Sequence, residues 1–373
     1  MKKVLLVSNV LKLHVFQFHI PMIKKLKEMG YKVDVAAYDD FEKEDNPSFN
    51  DFDNFVSLKK FSTTNPLSIS SLKNYRILKN QIKKDNYDVV YCHTPIASAY
   101  ARFAARNSKS KVIYIAHGFH FFKGSPAINW LFFPIEWVLS YITDVLVLIN
   151  TFDYDLAKKY FHAKKIVKIP GIGIDYFRFF NAKNHREKVL NDLLIPQDAF
   201  VILSVAELQN VKNQINMIKA MKLINDKSIY LVLAGQGSNQ KKYEKLIDEL
   251  GLSNNIKLIG YRYDTDDLYK AADCFIHIAT REGLGLAPLE AMASGLPLIA
   301  SEIGGMREYV KNGVTGYTVN PYSINEIAVS IINMKSDTEF RKSCSNNNKE
   351  ISKEYDMKYS IEILERVFKE IND

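Results

Sequence analysis

Apolar and polar positions follow two alternating periods along this chain. Continuous apolar runs of strand length occupy 4–8, 31–37, 88–93, 111–116 and 144–150. Runs of that kind suit strands buried on both faces. Between them the spacing turns helical. Val15, Phe18, Met22, Ile23, Leu26 and Met29 recur on one helical face and stop at Gly30, a C-cap. Helical spacing also marks 72–84 and 96–105, and a further strand is expected over 167–170. Segment 40–66 is polar and irregular, with isolated strands. The pattern then restarts. Strands are expected over 200–205, 229–234, 256–260, 273–278 and 298–300, with helices over 214–223, 241–250, 268–272 and 286–293. Helices over 323–334, 337–352 and 358–371 close the chain. Alternation of this kind belongs to parallel sheets with crossover helices. The reading is an α/β chain with two doubly wound, Rossmann-like domains, which 373 residues accommodate comfortably.

Composition and charge narrow the function. No uncharged apolar run reaches transmembrane length. Asn9, Lys12 and His14 interrupt the apolar start too early for a signal peptide, and no small-residue cleavage site follows. Cys92, Cys274 and Cys344 form no motif, which fits a reducing cytosol. Charge is uneven: residues 1–168 hold 25 Lys+Arg against 15 Asp+Glu, net +10, while 169–373 hold 25 against 27, net −2. The basic half should seek an anionic surface. No nucleic-acid motif accompanies that charge, so an anionic membrane leaflet is the better partner.

Two stretches carry candidate chemistry. The first is 280–297, T-R-E-G-L-G-L-A-P-L-E-A-M-A-S-G-L-P. It reads as a glycine turn and a helix between two strands. Gly283 and Gly285 allow close backbone approach, and the amides of Gly283, Leu284, Gly285 and Leu286 open a helix where a phosphate can sit. Glu282 lies in the turn and Glu290 a little over two helical turns on, facing the same way. A carboxylate beside a phosphate site makes sense if it accepts hydrogen bonds from sugar hydroxyls. The second stretch is 118–143, with Phe119, Phe121, Phe122, Trp130, Phe132, Phe133, Trp137 and Tyr141, and Lys123 among them. About half of these fit a core helix. The remainder suggest a patch that enters lipid or grips an apolar acceptor tail. Two other motifs fall away. Gly235-Gln236-Gly237 lacks the third glycine of a dinucleotide fingerprint, since position 240 is Gln. Asp264-Thr265-Asp266 precedes a helix and reads as an N-cap, not a metal motif.

The 280–297 string resembles the E-x7-E signature of retaining GT-B glycosyltransferases of the family 4 type, E-G-x-G-x-x-x-x-E-A-x-A-x-G-x-P, at every fixed position. The resemblance implies a GT-B fold with two Rossmann-like domains facing a cleft. Residues 1–170 would bind acceptor and 171–355 the nucleotide-sugar, with helix 356–373 crossing back onto the first domain. Gly171-Ile172-Gly173-Ile174-Asp175 is similar to the family's interdomain linker. It also implies roles. Lys212 and the turn amides would hold the leaving diphosphate, Glu282 the sugar hydroxyls and Glu290 the ribose. Tyr261 and Arg262 would border the base. His117 matches a cleft histidine that contacts donor sugar or acceptor phosphate, with His93 and His120 as weaker candidates. Glu207 stands where an Arg is usual, as in a G-E-L-x-x-x-K-N variant of some bacterial polysaccharide transferases. The first turn, 8–12, lacks the usual glycine pair. The string A-H-G-F-H-F-F-K-G, which places Phe119, Phe121, Phe122 and Lys123, resembles the acceptor loop of capsule and exopolysaccharide glycosyltransferases.

The implied reaction moves a sugar from a nucleotide donor, UDP-linked for preference, to a polyprenyl-diphosphate-linked saccharide. The protein would be cytoplasmic and peripheral on the inner membrane face, using no cofactor and no metal, and binding no nucleic acid. A nucleotide-sugar epimerase of the same fold, a transferase with a soluble acceptor and a non-catalytic binding protein are the alternatives. An epimerase would have no use for an aromatic acceptor patch.

Overall fold

The computed structural model describes residues 1–41, 49–61, 68–121 and 125–371. The chain divides into two compact units, Met1–Ile172 with Lys358–Asp373, and Gly173–Met357.

In the first unit the apolar runs become β1 (Lys3–Val10), β2 (Lys32–Tyr38), β3 (Asn54–Ser57), β4 (Val89–His93), β5 (Lys111–Ala116), β6 (Val145–Leu148) and β7 (Lys165–Lys168). They form one parallel sheet in the order β3-β2-β1-β4-β5-β6-β7. Strand register is set by the apolar runs themselves: Val4 to Val7 lie beside Val89 to Cys92, all fully buried. β7 starts earlier than 167–170, and the helix Thr151–Tyr160 before it escaped sequence reading. Its amphipathic face is short and its cap, Asn150, sits at the end of an apolar run.

The final helix, Met357–Glu370, packs in the first unit. Tyr31 OH donates to Phe368 O at 3.1 Å, the Phe368 ring meets Tyr91 edge-on, and Lys25 pairs with Glu365 at 3.1 Å.

The second unit holds β8 (Phe200–Val205), β9 (Ile229–Ala234), β10 (Ile256–Leu258), β11 (Cys274–His277), β12 (Leu298–Ala300) and β13 (Gly316–Thr318), parallel in the order β10-β9-β8-β11-β12-β13. Gly235 and Gly237 have a packing role here. A Cβ on Gly235 would meet Ala206 O at 2.0 Å, and one on Gly237 would meet Leu208 O at 2.5 Å. These glycines let the turn after β9 lie against the loop after β8. Asp264 stands at the start of the Thr265–Ala271 helix, but its carboxylate accepts from Arg262 Nε at 2.7 Å and does not cap the helix amides.

In both sheets the order in which successive strands are added reverses at one place, between β1 and β4 and between β8 and β11. Crevices at the carboxyl ends of such strands are where doubly wound sheets hold ligands.

Candidate active site

The switch point of the second unit brings together residues 70 positions apart. Lys212 follows β8 and Glu282 follows β11; Lys212 Nζ donates to Glu282 Oε2 at 2.5 Å. Two neighbours make the meeting possible. Asn213, in a left-handed conformation at φ 60°, donates from Nδ2 to Ile278 O at 3.2 Å and Pro321 O at 2.6 Å. Thr280 N donates to Val211 O at 2.8 Å. The loop after β8 is thus stitched to the loop after β11.

A third member was missed in the sequence. His277 closes β11, and its Nε2 lies 2.9 Å from the same Glu282 Oε2. The ring is buried among apolar strand residues. Burial lowers its pKa, and Glu282 offsets this only in part. Burial acts against charge on Glu282 as well, but His277 and Lys212 outweigh it and bring its pKa down to about 2. Glu282 is therefore an ionised acceptor held by two donors. The only warning in the sequence was a histidine inside an otherwise apolar strand.

The turn after Glu282 is shaped from two sides. Gly285 adopts φ 82° as the residue before the Leu286–Ala293 helix, and a Cβ there would lie 2.9 Å from the Tyr309 hydroxyl. Tyr309 OH donates to Leu284 O at 2.7 Å. Gly304 presses on the turn: a Cβ on it would meet Glu282 O at 1.9 Å. Gly305 N donates to Gly283 O at 2.8 Å. Leu284 is buried, and Leu286 is half-buried at the helix start.

Glu290 has different partners from Glu282. It is half-buried, its Oε2 accepts from Tyr269 OH at 2.8 Å, and burial raises its pKa. Arg178 and Asp266 act on it in opposite senses. Glu207 is exposed and accepts from the Gln209 amide, while Lys212 pairs with Glu282 instead. Tyr261 is exposed and packs edge-on to Tyr263 at 5.0 Å.

In the first unit, the glycine-free turn after β1 has its own anion. The amides of Leu11, Lys12 and Leu13 donate to the Asp40 carboxylate at 2.8, 2.6 and 3.1 Å. These three donors, which a diphosphate would use in a glycine-rich turn, already have a carboxylate. His117 follows β5, with its Nε2 3.2 Å from His93 Nδ1.

The aromatic stretch divides. Phe119 and Phe121 are buried, stacked on each other at 4.9 Å and packed on Phe161, so they are core residues and not an acceptor surface. Phe133 is half-buried against the same core. Phe122 and Lys123 lie outside the described residues. Trp130 and Phe132 are exposed. With them Ile128, Leu131, Ile135, Trp137, Val138 and Tyr141 form an exposed apolar face on and around the Phe132–Ser140 helix. That helix is anchored from below by Glu136, whose Oε2 accepts from the buried Arg102 at 2.8 Å. A run this rich in aromatics offers no polar alternation to separate the buried rings from the exposed ones. No helix among the described residues is long and apolar enough to cross a membrane.

Comparison with known proteins fits this geometry. Residues 185–351 match the family described as Glycosyl transferases group 1, and residues 3–150 match Glycosyl transferase 4-like. The Bacillus subtilis glycosyltransferase EpsD is 36% identical over 326 residues, covering 85% of this chain and 83% of EpsD. The Escherichia coli UDP-Gal:alpha-D-GlcNAc-diphosphoundecaprenol alpha-1,3-galactosyltransferase is 29% identical over 72% of each chain. In structure the chain is similar to Anabaena HepE, crystallised with UDP and glucose, with a TM-score of 0.81 and 19% identity over 99% of this chain and 100% of that one. The two parallel sheets, the E-x7-E turn and these relatives together place the chain in the family 4-type, GT-B glycosyltransferases.

Proposed function

We propose that the protein is a retaining glycosyltransferase that moves a hexosyl or N-acetylhexosaminyl group from a UDP-sugar to a polyprenyl-diphosphate-linked saccharide, in capsule or exopolysaccharide synthesis. The observation that carries this reading is the Lys212–Glu282–His277 constellation beside the 283–286 turn. Lys212 and the turn amides suit the developing charge of a departing diphosphate. Glu282, ionised and aimed by two donors, suits the hydroxyls of the donor sugar. Glu290 and the Tyr261–Arg262 turn are assigned to the ribose and base. His117, in the first unit, is assigned to the sugar or the acceptor phosphate. No metal is required for the transfer, since Lys212 and the amides supply the positive charge. The Escherichia coli relative, whose acceptor is diphosphoundecaprenol-linked, supports a lipid-linked acceptor here.

Lys212 gives a direct test of the donor site. Lys212→Ala should weaken UDP binding by about 1.5–3 kcal/mol, the scale of a charge-assisted hydrogen bond. Calorimetry on wild type and variant measures this, and equal affinities would remove Lys212 from the site.

The exposed apolar face and the basic first half support a protein that is peripheral on the inner membrane face. Each Lys or Arg near an anionic leaflet contributes about 1 kcal/mol, and the exposed rings add apolar burial. The protein should co-sediment with phosphatidylglycerol-containing vesicles at low salt and release partly at high salt. Replacing Trp130, Ile135 and Trp137 with Ser should remove the salt-resistant part. These three are exposed, so the fold should survive. Wild type that stays in the supernatant at low salt would favour a soluble acceptor.

A further inference from the structure

Four histidines from distant parts of the sequence meet at the carboxyl edge of the first sheet. His14 and His19 lie on the Leu11–His19 segment, which winds with i→i+5 hydrogen bonds instead of the α pattern expected from the sequence. That wider turn stacks residues five apart on one face, so His14 Nδ1 comes 3.1 Å from His19 Nε2. His93 ends β4 and His117 follows β5. The His19 and His93 rings lie with centroids 3.7 Å apart, and His14 and His117 at 5.0 Å. One ring nitrogen each from His14, His19 and His117 lies within 4.8 Å of the others.

Three further observations mark the place as a site. It stands at the β1/β4 switch point, where doubly wound sheets bind ligands. Thr94, next to His93, has φ 64°, a strained conformation for a β-branched residue and one that clusters at functional sites. His93 Nε2 is buried with no hydrogen-bond partner among the described residues.

The chemistry selects the ligand. The ring nitrogens of His14, His19 and His117 face one another within 4.8 Å, and among the described residues no carboxylate hydrogen-bonds to any of the four rings. An imidazole nitrogen that carries no proton offers a lone pair, so three of them grouped in this way suit a cation that accepts nitrogen lone pairs. With bonds of about 2.0 Å, two imidazole nitrogens on one tetrahedral zinc stand about 3.3 Å apart, close to the 3.1 Å of the His14–His19 pair.

We propose that His14, His19 and His117 form a binding site for a divalent transition-metal ion of the zinc type, with His93 orienting His117. Three histidines with a fourth position open to water or an anionic oxygen make a recurrent zinc arrangement, and a hydrogen-bonded partner behind a ligating ring is its usual support. The ion ties the glycine-free first turn to the ends of β4 and β5. It is distinct from the Lys212–Glu282 pair of the second unit but takes up His117, so with the ion bound the contact to sugar or acceptor phosphate assigned to His117 above would pass to the ion's open position.

Full-length, untagged protein, stripped with a chelator, would be titrated with zinc by calorimetry and with cobalt(II) by visible absorption. One equivalent of zinc should bind tightly, and cobalt should give the absorption bands of a tetrahedral nitrogen-ligated ion. His14→Gln and His117→Gln should each abolish the bands. His93→Gln should weaken zinc about 10- to 100-fold, and His162→Gln, on the surface, should change nothing. Should the variants misfold, zinc should still protect wild-type histidines from diethyl pyrocarbonate. Absence of that protection, cobalt bands that persist in the His14 and His117 variants, or stabilisation by inorganic diphosphate but not by zinc would each overturn the proposal.

Discussion

Glu282→Gln should lower glycosyl transfer by about 100- to 1,000-fold, the usual cost of removing one preorganised polar contact from a transition state. Gln keeps the shape of the side chain and loses the charge. Its oxygen can still accept one hydrogen bond, but it no longer balances Lys212 and His277. Free UDP should bind unchanged or tighter, because Lys212, released from its carboxylate, is more available to phosphate. The split between turnover and UDP affinity distinguishes a sugar contact from a nucleotide contact. Equal losses of UDP affinity and turnover would contradict the assignment. The same variant should alter stability in acid. The Glu282 pKa falls from 4.5 unfolded to about 2 folded, and each unit is worth about 1.4 kcal/mol, so ionised Glu282 contributes about 3 kcal/mol. The folded pKa is the lower one, so this contribution is complete above about pH 4.5 and disappears as pH falls toward 2. Denaturant titrations of wild type and Glu282→Gln should therefore differ at pH 6 and converge near pH 2.

Glu136→Ala should destabilise the first unit by about 3–5 kcal/mol, the cost of leaving one member of a buried ion pair unpaired. Arg102 is 1% exposed, lies over the Tyr114 ring at 4.2 Å and has Glu136 as its counter-charge. Burial disfavours the charged guanidinium, and Glu136 reverses that effect, leaving its pKa raised. For a unit of this size the loss corresponds to a fall in Tm of roughly 6–20 °C. The double variant Arg102→Met with Glu136→Leu should recover most of it, because an apolar pair of similar volume often substitutes for a buried salt bridge. The pair also sets which face of the Phe132–Ser140 helix points outward, so Glu136→Ala should weaken vesicle binding without removing a single exposed aromatic. A melting curve for Glu136→Ala that overlays wild type would show that the pair does not hold the helix.

Much of the architecture was legible in the chain because parallel strands buried on both faces leave continuous apolar runs. Val4 to Val7 and Val201 to Leu203 are examples, and both lie in strand cores. The bounds of the short edge strands were not legible, although isolated strands were expected within 40–66. Asn54–Ser57 is half-exposed and Gly316–Thr318 spans three residues, so neither carries enough apolar pattern. The E-x7-E turn was visible as a string, and Glu282 and Lys212 do meet. His277 was hidden because a histidine among apolar strand residues looks the same whether it fills the core or reaches a carboxylate. The pairing of His14 with His19 was hidden for a different reason: a 3.6-residue period puts residues five apart on different faces, and only the wider helical turn unites them. Asp40 was hidden because its partners are amides 27 to 29 residues earlier in the chain. Phe119 and Phe121 could not be separated from Trp130 and Phe132, since apolar character alone does not say which ring faces water.

A retaining transfer from a nucleotide-sugar to a lipid-linked saccharide is the proposed reaction. Its most direct test incubates the full-length protein with a panel of α-linked UDP-sugars and a short-chain polyprenyl-diphosphate N-acetylglucosamine, then reads the new linkage by proton NMR. The expected result is one preferred donor, a product that partitions with the lipid, and an α configuration at the new bond. A β linkage, transfer only to soluble sugars, or release of an epimerised UDP-sugar with no transfer would contradict it.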